Sequence, residues 1–160
     1  MVSVYLICVG KLKEKFYLDA CQEYLKRLKG YCKLTLVEIP EAKLPQSPSL
    51  GEIAAALDKE GEAIRAKLPS GGTLVALCVE GQEKSSPELA EFVQTFQNSG
   101  GKHLVFLIGG SYGLHPSIKA EAKLRLSMSP MTFPHHLARV MVLEQIYRAF
   151  KINEGSSYHK

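Results

Sequence analysis

The sequence predicts an α/β fold with a mainly parallel sheet flanked by helices, and three observations carry that prediction. Apolar, β-branched runs alternate along the chain with segments of helical periodicity. The runs Val2 to Val9, Thr73 to Val79 and His103 to Ile108 have few polar breaks, as strands buried on both faces require. Proline and glycine punctuate the joins between elements. With 160 residues, 46% of them hydrophobic, the chain suffices for one well-buried core, so residues 1–160 are expected to form a single domain.

Val2 to Val9 opens the chain as a strand, and Phe16 to Leu28 follows as a helix with Phe16, Ala20, Tyr24 and Leu28 at helical spacing. Leu34, Leu36 and Ile39 mark a second strand. The linker after it carries Pro40, Pro45 and Pro48, which block helix continuation and leave a loop free to move. Glu52 to Leu68 is predicted as a helix ended by Pro69 and Gly71-Gly72, followed by the third strand, Thr73 to Val79. Ser85 or Ser86 caps the next helix, which has Pro87 in its first turn, Glu88 in capping-box position to Ser85 and an end near Gln97. After the fourth strand, His103 to Ile108, come a short helix from Pro116 to Ala122, a brief strand from Leu124 to Ser127 and a final helix from Leu137 to Asn153. No internal repeat interrupts this order.

Several function classes are disfavoured at once. The longest apolar run falls well short of the ~18 residues of a membrane-spanning helix, and the first residues read as a strand without the features of a signal peptide, so a cytoplasmic location is expected. Cys8, Cys21, Cys32 and Cys78 show no C-x-x-C spacing and are expected to be reduced. The formal charge of +4 is unevenly spread: seven Lys or Arg face three acids between Lys11 and Lys33, whereas six acids face two lysines between Glu38 and Glu62. A basic segment suits a nucleic-acid partner, although charge runs also occur on ordinary solvated helix faces.

Gly109-Gly110-Ser111-Tyr112-Gly113 follows the fourth strand, and a second irregular stretch, Met128 to Pro134, precedes the last helix. Glycines at the carboxyl end of a buried strand let backbone groups approach a ligand. The motif reads G-G-x-x-G after the fourth strand rather than G-x-G-x-x-G after the first, which argues against a Rossmann dinucleotide site. Neither Gly10-Lys11 nor Gly101-Lys102 has the flanking residues of a P-loop. His135-His136 lacks a third ligand at a known spacing, so no metal is expected.

Leu137, Val140, Met141, Glu144, Tyr147 and Arg148 fall on one helical stripe, placing a carboxylate among apolar residues. Two readings stand side by side. Glu144 and Arg148 can be an i,i+4 pair buried in a dimer contact, or groups that handle a proton and stabilise developing negative charge. Arg139 is a candidate phosphate ligand or a surface ion-pair partner, and the polar tail Asn153 to Lys160 is by default a frayed end.

Val9-Gly10-Lys11-Leu12-Lys13, Leu107 to Leu114, Met131-Thr132-Phe133-Pro134-His135, Glu144 to Ala149 and the terminal Tyr158-His159-Lys160 together resemble the RlmH family, small bacterial 23S rRNA pseudouridine N3-methyltransferases of the SPOUT class. The resemblance runs in order along essentially the whole chain. It implies a C-terminal deep trefoil knot, a homodimer, and methylation of a helix 69 hairpin-loop pseudouridine on assembled ribosomes with S-adenosylmethionine as methyl donor. It assigns the donor site to Leu77, Gly109, Met128, Ser129, Pro130, Met131, Thr132 and Phe133, with catalysis by Glu144 and Arg148. RNA contacts fall to His135, Arg139, Tyr158 and His159, with the tail reaching toward an active site shared across the dimer. A non-catalytic ribosome-associated RNA-binding factor and a related tRNA methyltransferase are the alternatives.

Overall fold

A computed structural model describes all 160 residues, arranged as one five-stranded sheet with helices on both faces. The elements are β1 (Val2–Val9), α1 (Lys15–Leu28), β2 (Cys32–Ile39), α2 (Leu50–Lys67), β3 (Thr73–Glu83), α3 (Ser86–Asn98), β4 (His103–Ile108), α4 (Pro116–Glu121), β5 (Leu124–Ser127) and α5 (His135–Asn153). Every strand pair is parallel, in the order β2-β1-β4-β3-β5. The nearly unbroken apolar runs of β1 and β4 are explained by this order, since both lie inside the sheet with helices above and below.

One core layer joins the sheet to α1, α3 and α5 through Leu6, Phe106, Leu28, Val93, Leu143 and Ile146. The other joins it to α2 and α4 through Ile7, Leu107, Ile64 and Ile118. Phe106 is fully buried, so truncating it to alanine would cost about 3–5 kcal/mol. Ser85 and Glu88 form the expected capping box at α3, and Ser49 and Glu52 form a second one that starts α2 at Leu50 rather than Glu52. Cys8 and Cys32 are buried free thiols whose pKa burial pushes up to about 12, which keeps them protonated and unreactive.

Two sequence expectations are corrected, and the faces of α5 are resolved. β3 continues beyond Val79 to Glu83: Leu77 pairs with Leu126 in β5, an irregularity follows, and Gln82 then pairs with Leu126 again. Gly81 permits this bulge, because a Cβ there would lie 2.6 Å from the Arg125 carbonyl oxygen. In α1 the inner face is built by Tyr17, Cys21, Tyr24, Leu25 and Leu28, which leaves Phe16 66% exposed. In α5 the core takes Val142, Leu143, Ile146, Ala149 and Phe150, so the stripe containing Glu144 is a second, half-exposed apolar face. Apolar periodicity identified the helices but could not say which of two faces meets the sheet.

Candidate active site

The carboxyl ends of β3, β4 and β5 open into a cleft of about 620 Å³. Leu77, Ile108 and Leu126 supply apolar strand ends, the Gly109–Leu114 turn forms one wall, the loop after β5 forms another, and His135 and Ala138 from the start of α5 complete it. Leu77, Gly109, Met128, Ser129, Met131, Thr132 and Phe133 thus converge on one site with His135. Pro130 is exposed and stands outside the lining.

Local hydrogen bonds shape the glycine turn. Gly113 donates its N–H to the Gly110 carbonyl at 3.1 Å with φ at +80°, and a Cβ on Gly109 would collide with the Gly113 backbone. Closure of the turn itself therefore demands glycine at 109, a nearer cause than clearance for a ligand. Glu41 clamps the turn from the linker after β2. Its Oε1 accepts the Ser111 N–H at 3.0 Å and the Ser111 hydroxyl at 2.8 Å, and a Cβ on Gly110 would approach that oxygen to 2.8 Å. Burial pushes the Glu41 pKa up, but the Ser111 hydrogen bonds and the neighbouring His135 and His136 outweigh it and leave the carboxyl below its usual value. The next residue, Ala42, donates its N–H to Glu60 at 2.8 Å, and burial raises the Glu60 pKa despite that bond. The proline-rich linker is thereby tied down at its first residues.

Opposite the turn, the Ser127 hydroxyl donates to the Ser129 carbonyl at 3.0 Å, and the Met131 N–H donates to Ser129 Oγ at 3.0 Å. Residues 129–133 make no backbone–backbone hydrogen bond. Several N–H and C=O groups beside an apolar floor therefore remain available, the combination that a flat heteroaromatic ring with a polar edge requires.

The wall also contains residues that the sequence did not single out. Cys78, Val79 and Glu80 enter through the β3 bulge, and Glu80 accepts an ion-paired hydrogen bond from Lys119 at 2.8 Å. Gly81, inside an otherwise β-like run, was the available signal for that bulge. His135 sits 4.0 Å from Glu41, and its pKa is lowered first by burial and then by the neighbouring His136. No group of three or more His, Cys, Asp or Glu side chains is arranged to hold a metal ion.

Arg139 corrects the sequence reading of a surface cation. It is 1% exposed, donates Nη1 to Glu38 at 2.7 Å and Nη2 to the Gly10 carbonyl at 3.0 Å, and its Nε has no partner. A guanidinium so enclosed braces α5 against the end of β1 and is not free to meet an RNA phosphate. Burial opposes ionisation of Glu38, but the Arg139 hydrogen bond, the Leu12 N–H and the Arg139 charge outweigh burial and lower its pKa.

Glu144, Arg148, Tyr158 and His159 form a second cluster. Arg148 Nη2 donates to Glu144 Oε1 at 2.8 Å, the Tyr158 hydroxyl donates to the same oxygen at 3.0 Å, and Gln145 donates to Oε2 at 3.0 Å. The Arg148 guanidinium lies 4.6 Å from the Tyr158 ring centroid and donates Nη1 to His159 Nδ1 at 3.1 Å. Gly155, at φ +76°, ends the helix and turns the tail back, so the tail is docked on its own helix rather than frayed. None of these four side chains lines the cleft. Glu144 is turned about 240° around α5 from cleft-lining Ala138.

Comparison with known proteins follows the same full-length course. A family model described as predicted SPOUT methyltransferase matches residues 2–159. The chain is 44% identical to "Ribosomal RNA large subunit methyltransferase H" of Clostridium acetobutylicum over 159 residues, covering 99% of this chain and 100% of that protein. It is 45% identical to the protein of the same name in Bifidobacterium animalis subsp. lactis, with the same coverage. The solved structure of a probable methylase family protein from Haemophilus influenzae Rd KW20 superposes with a TM-score of 0.53 at 14% identity, covering 99% of this chain and 70% of that one. At that identity the likeness concerns the fold alone.

Proposed function

Because this chain belongs to the RlmH family of SPOUT methyltransferases, we propose that it transfers a methyl group from S-adenosylmethionine to N3 of a pseudouridine in the helix 69 loop of 23S rRNA, on assembled ribosomes in the cytoplasm. The observation that carries the proposal is the convergence of Leu77, the Gly109 turn and residues 128–133 on one cleft. The cleft suits the donor on chemical grounds: Leu77 and Phe133 offer apolar surface to the faces of adenine, and those backbone groups of residues 129–133 not already bonded to Ser127 or Ser129 can meet its edge. When bound, the donor supplies an electrophilic methyl carbon on its sulfonium for in-line displacement.

The second cluster supplies charge control. N3 must shed its proton, to solvent water, before its lone pair attacks the methyl carbon, and the permanently charged Arg148 can stabilise the resulting anionic ring. Both Glu144 oxygens already accept hydrogen bonds, which favours Glu144 as the group that holds Arg148 and Tyr158; direct proton transfer to it would require one of those donors to swing aside. The cluster faces away from the cleft of its own protomer, so we assign it to the cleft of a partner in a homodimer. The half-exposed apolar face of α5, with Leu137, Val140, Met141 and Tyr147, supports that assembly. The trefoil knot belongs to the same proposal. It is supported by the chain leaving β5 at the sheet edge and returning past the strand ends to set His135 against Gly10.

Titration calorimetry with S-adenosylmethionine tests the reading. Saturable binding, abolished by bulky substitution at Thr132, is expected; a folded protein that takes up no donor overturns the enzyme assignment in favour of a non-catalytic RNA-binding factor.

A further inference from the structure

Beyond the cleft, four rings run in contact from solvent to its wall. Phe16 and Tyr17 have centroids 4.4 Å apart, Tyr17 meets His136 edge-on at 6.2 Å, and His136 meets His135 at 4.3 Å. His135 lines the cleft and Phe16 is 66% exposed. The fold does not use Phe16: the inner face of α1 runs through Tyr17, Cys21 and Leu28, leaving a large aromatic ring standing in water at the first turn.

The charges beside this row lean positive. Lys11 and Lys13 are exposed and form no ion pair, whereas Asp19 is paired with Lys15 at 2.7 Å and Glu38 with Arg139 at 2.7 Å; Glu14 has the His136 imidazole at 3.7 Å, an ion pair only when that ring is protonated. The Leu12 N–H is anchored to Glu38 at 3.1 Å, which fixes the backbone between the two lysines. One exposed ring, continued inward by half-buried ones and flanked by unneutralised cations, matches unpaired RNA, whose bases stack on aromatic faces while its phosphates seek positive charge.

We propose that Phe16, Tyr17, His136 and His135 form a stacking track for unpaired rRNA bases flanking the target nucleotide, with Lys11 and Lys13 holding the phosphates along it. The ring planes are inclined by 52° to 71° to one another, so bases dock on exposed faces rather than slide between the rings. The track rests on the rRNA methyltransferase reading and adds to it the route by which RNA reaches the cleft.

Steady-state methylation of ribosomes by the full-length protein tests the track, alongside calorimetry with the donor. Phe16→Ala should raise KM for ribosomes about tenfold, the order expected for one lost base stack, with kcat and donor affinity within about twofold of wild type. Phe16→Trp should restore KM. Replacing Lys11 and Lys13 by Ala should reduce the slope of log affinity against log salt by about 1.4. An unchanged KM in Phe16→Ala, or failure of Phe16→Trp to restore it, overturns the track. Dissociation of a wild-type dimer by Phe16→Ala in sedimentation also overturns it, and identifies the ring as a contact between two copies of the chain. If the wild-type protein binds donor but methylates no ribosomal RNA, the enzyme reading fails separately. Anisotropy with a labelled single-stranded RNA would then still decide the track, with weaker binding by Phe16→Ala expected and equal binding refuting it.

Discussion

Replacing Glu38 by alanine would leave Arg139 with an uncompensated charge in the core. Arg139 is 1% exposed, and once Glu38 is gone its remaining hydrogen-bond partner is the Gly10 carbonyl at 3.0 Å. Removing one partner of a fully buried ion pair costs about 3–5 kcal/mol. The Glu38 side chain is 37% exposed, so water can partly replace it, and we expect about 2–3 kcal/mol. For a chain of this size that lowers Tm by about 5–10 °C, measurable by circular dichroism melting. Replacing Arg139 by Met in the same protein removes the stranded charge and should recover more than half of the loss, a coupling that a double-mutant cycle isolates. The pair also makes stability depend on acid. The folded pKa of Glu38 is lowered, so its contribution is fully present above the unfolded carboxylate range and is lost as pH falls through the folded value. A loss under about 0.5 kcal/mol for Glu38→Ala would show that Arg139 is not locked, and would return it to the candidates for RNA contact.

Glu41→Ala removes both hydrogen bonds that clamp Ser111, and should weaken donor binding about tenfold in calorimetry, whereas Glu41→Gln, which keeps an acceptor, should remain within about threefold. Gly109→Ala should destabilise the protein as well as abolish donor binding, because the added methyl meets the Gly113 backbone; a stable variant with normal donor affinity would contradict the turn's role. Glu144→Gln should retain donor affinity while kcat falls at least about 100-fold, and if it instead dissociates a dimer without impairing catalysis, the pair is purely structural. His135 should titrate below the usual histidine range in an NMR pH series. Because its folded pKa is lowered, its stabilising contribution is present above the unfolded value and is lost as pH falls; a raised pKa would contradict this placement.

The order of elements and the cleft were legible in the sequence to different depths. Apolar runs with few polar breaks identified β1 and β4, and Ser85 with Glu88 located a helix start, because those signals are local. Met128 to Phe133 and Leu77 are 51 or more residues apart along the chain, and only the resemblance joined them before the fold did. Arg139 was misread because nothing local announces that Glu38, 101 residues earlier, lies beside it. The inner face of α1 was also misassigned, since that helix carries apolar residues on more than one side. Glu41 was invisible for a similar reason: its partner Ser111 lies 70 residues away across the sheet.

The central claim is tested most directly by mass spectrometry of rRNA fragments after the purified protein has been incubated with S-adenosylmethionine and unmodified ribosomes, with free large subunits and tRNA in parallel. One added methyl on a pseudouridine of the 23S helix 69 loop, borne on N3 and formed with intact ribosomes, is the predicted result. Methylation of tRNA alone, or of no RNA by a protein that binds the donor, would contradict it.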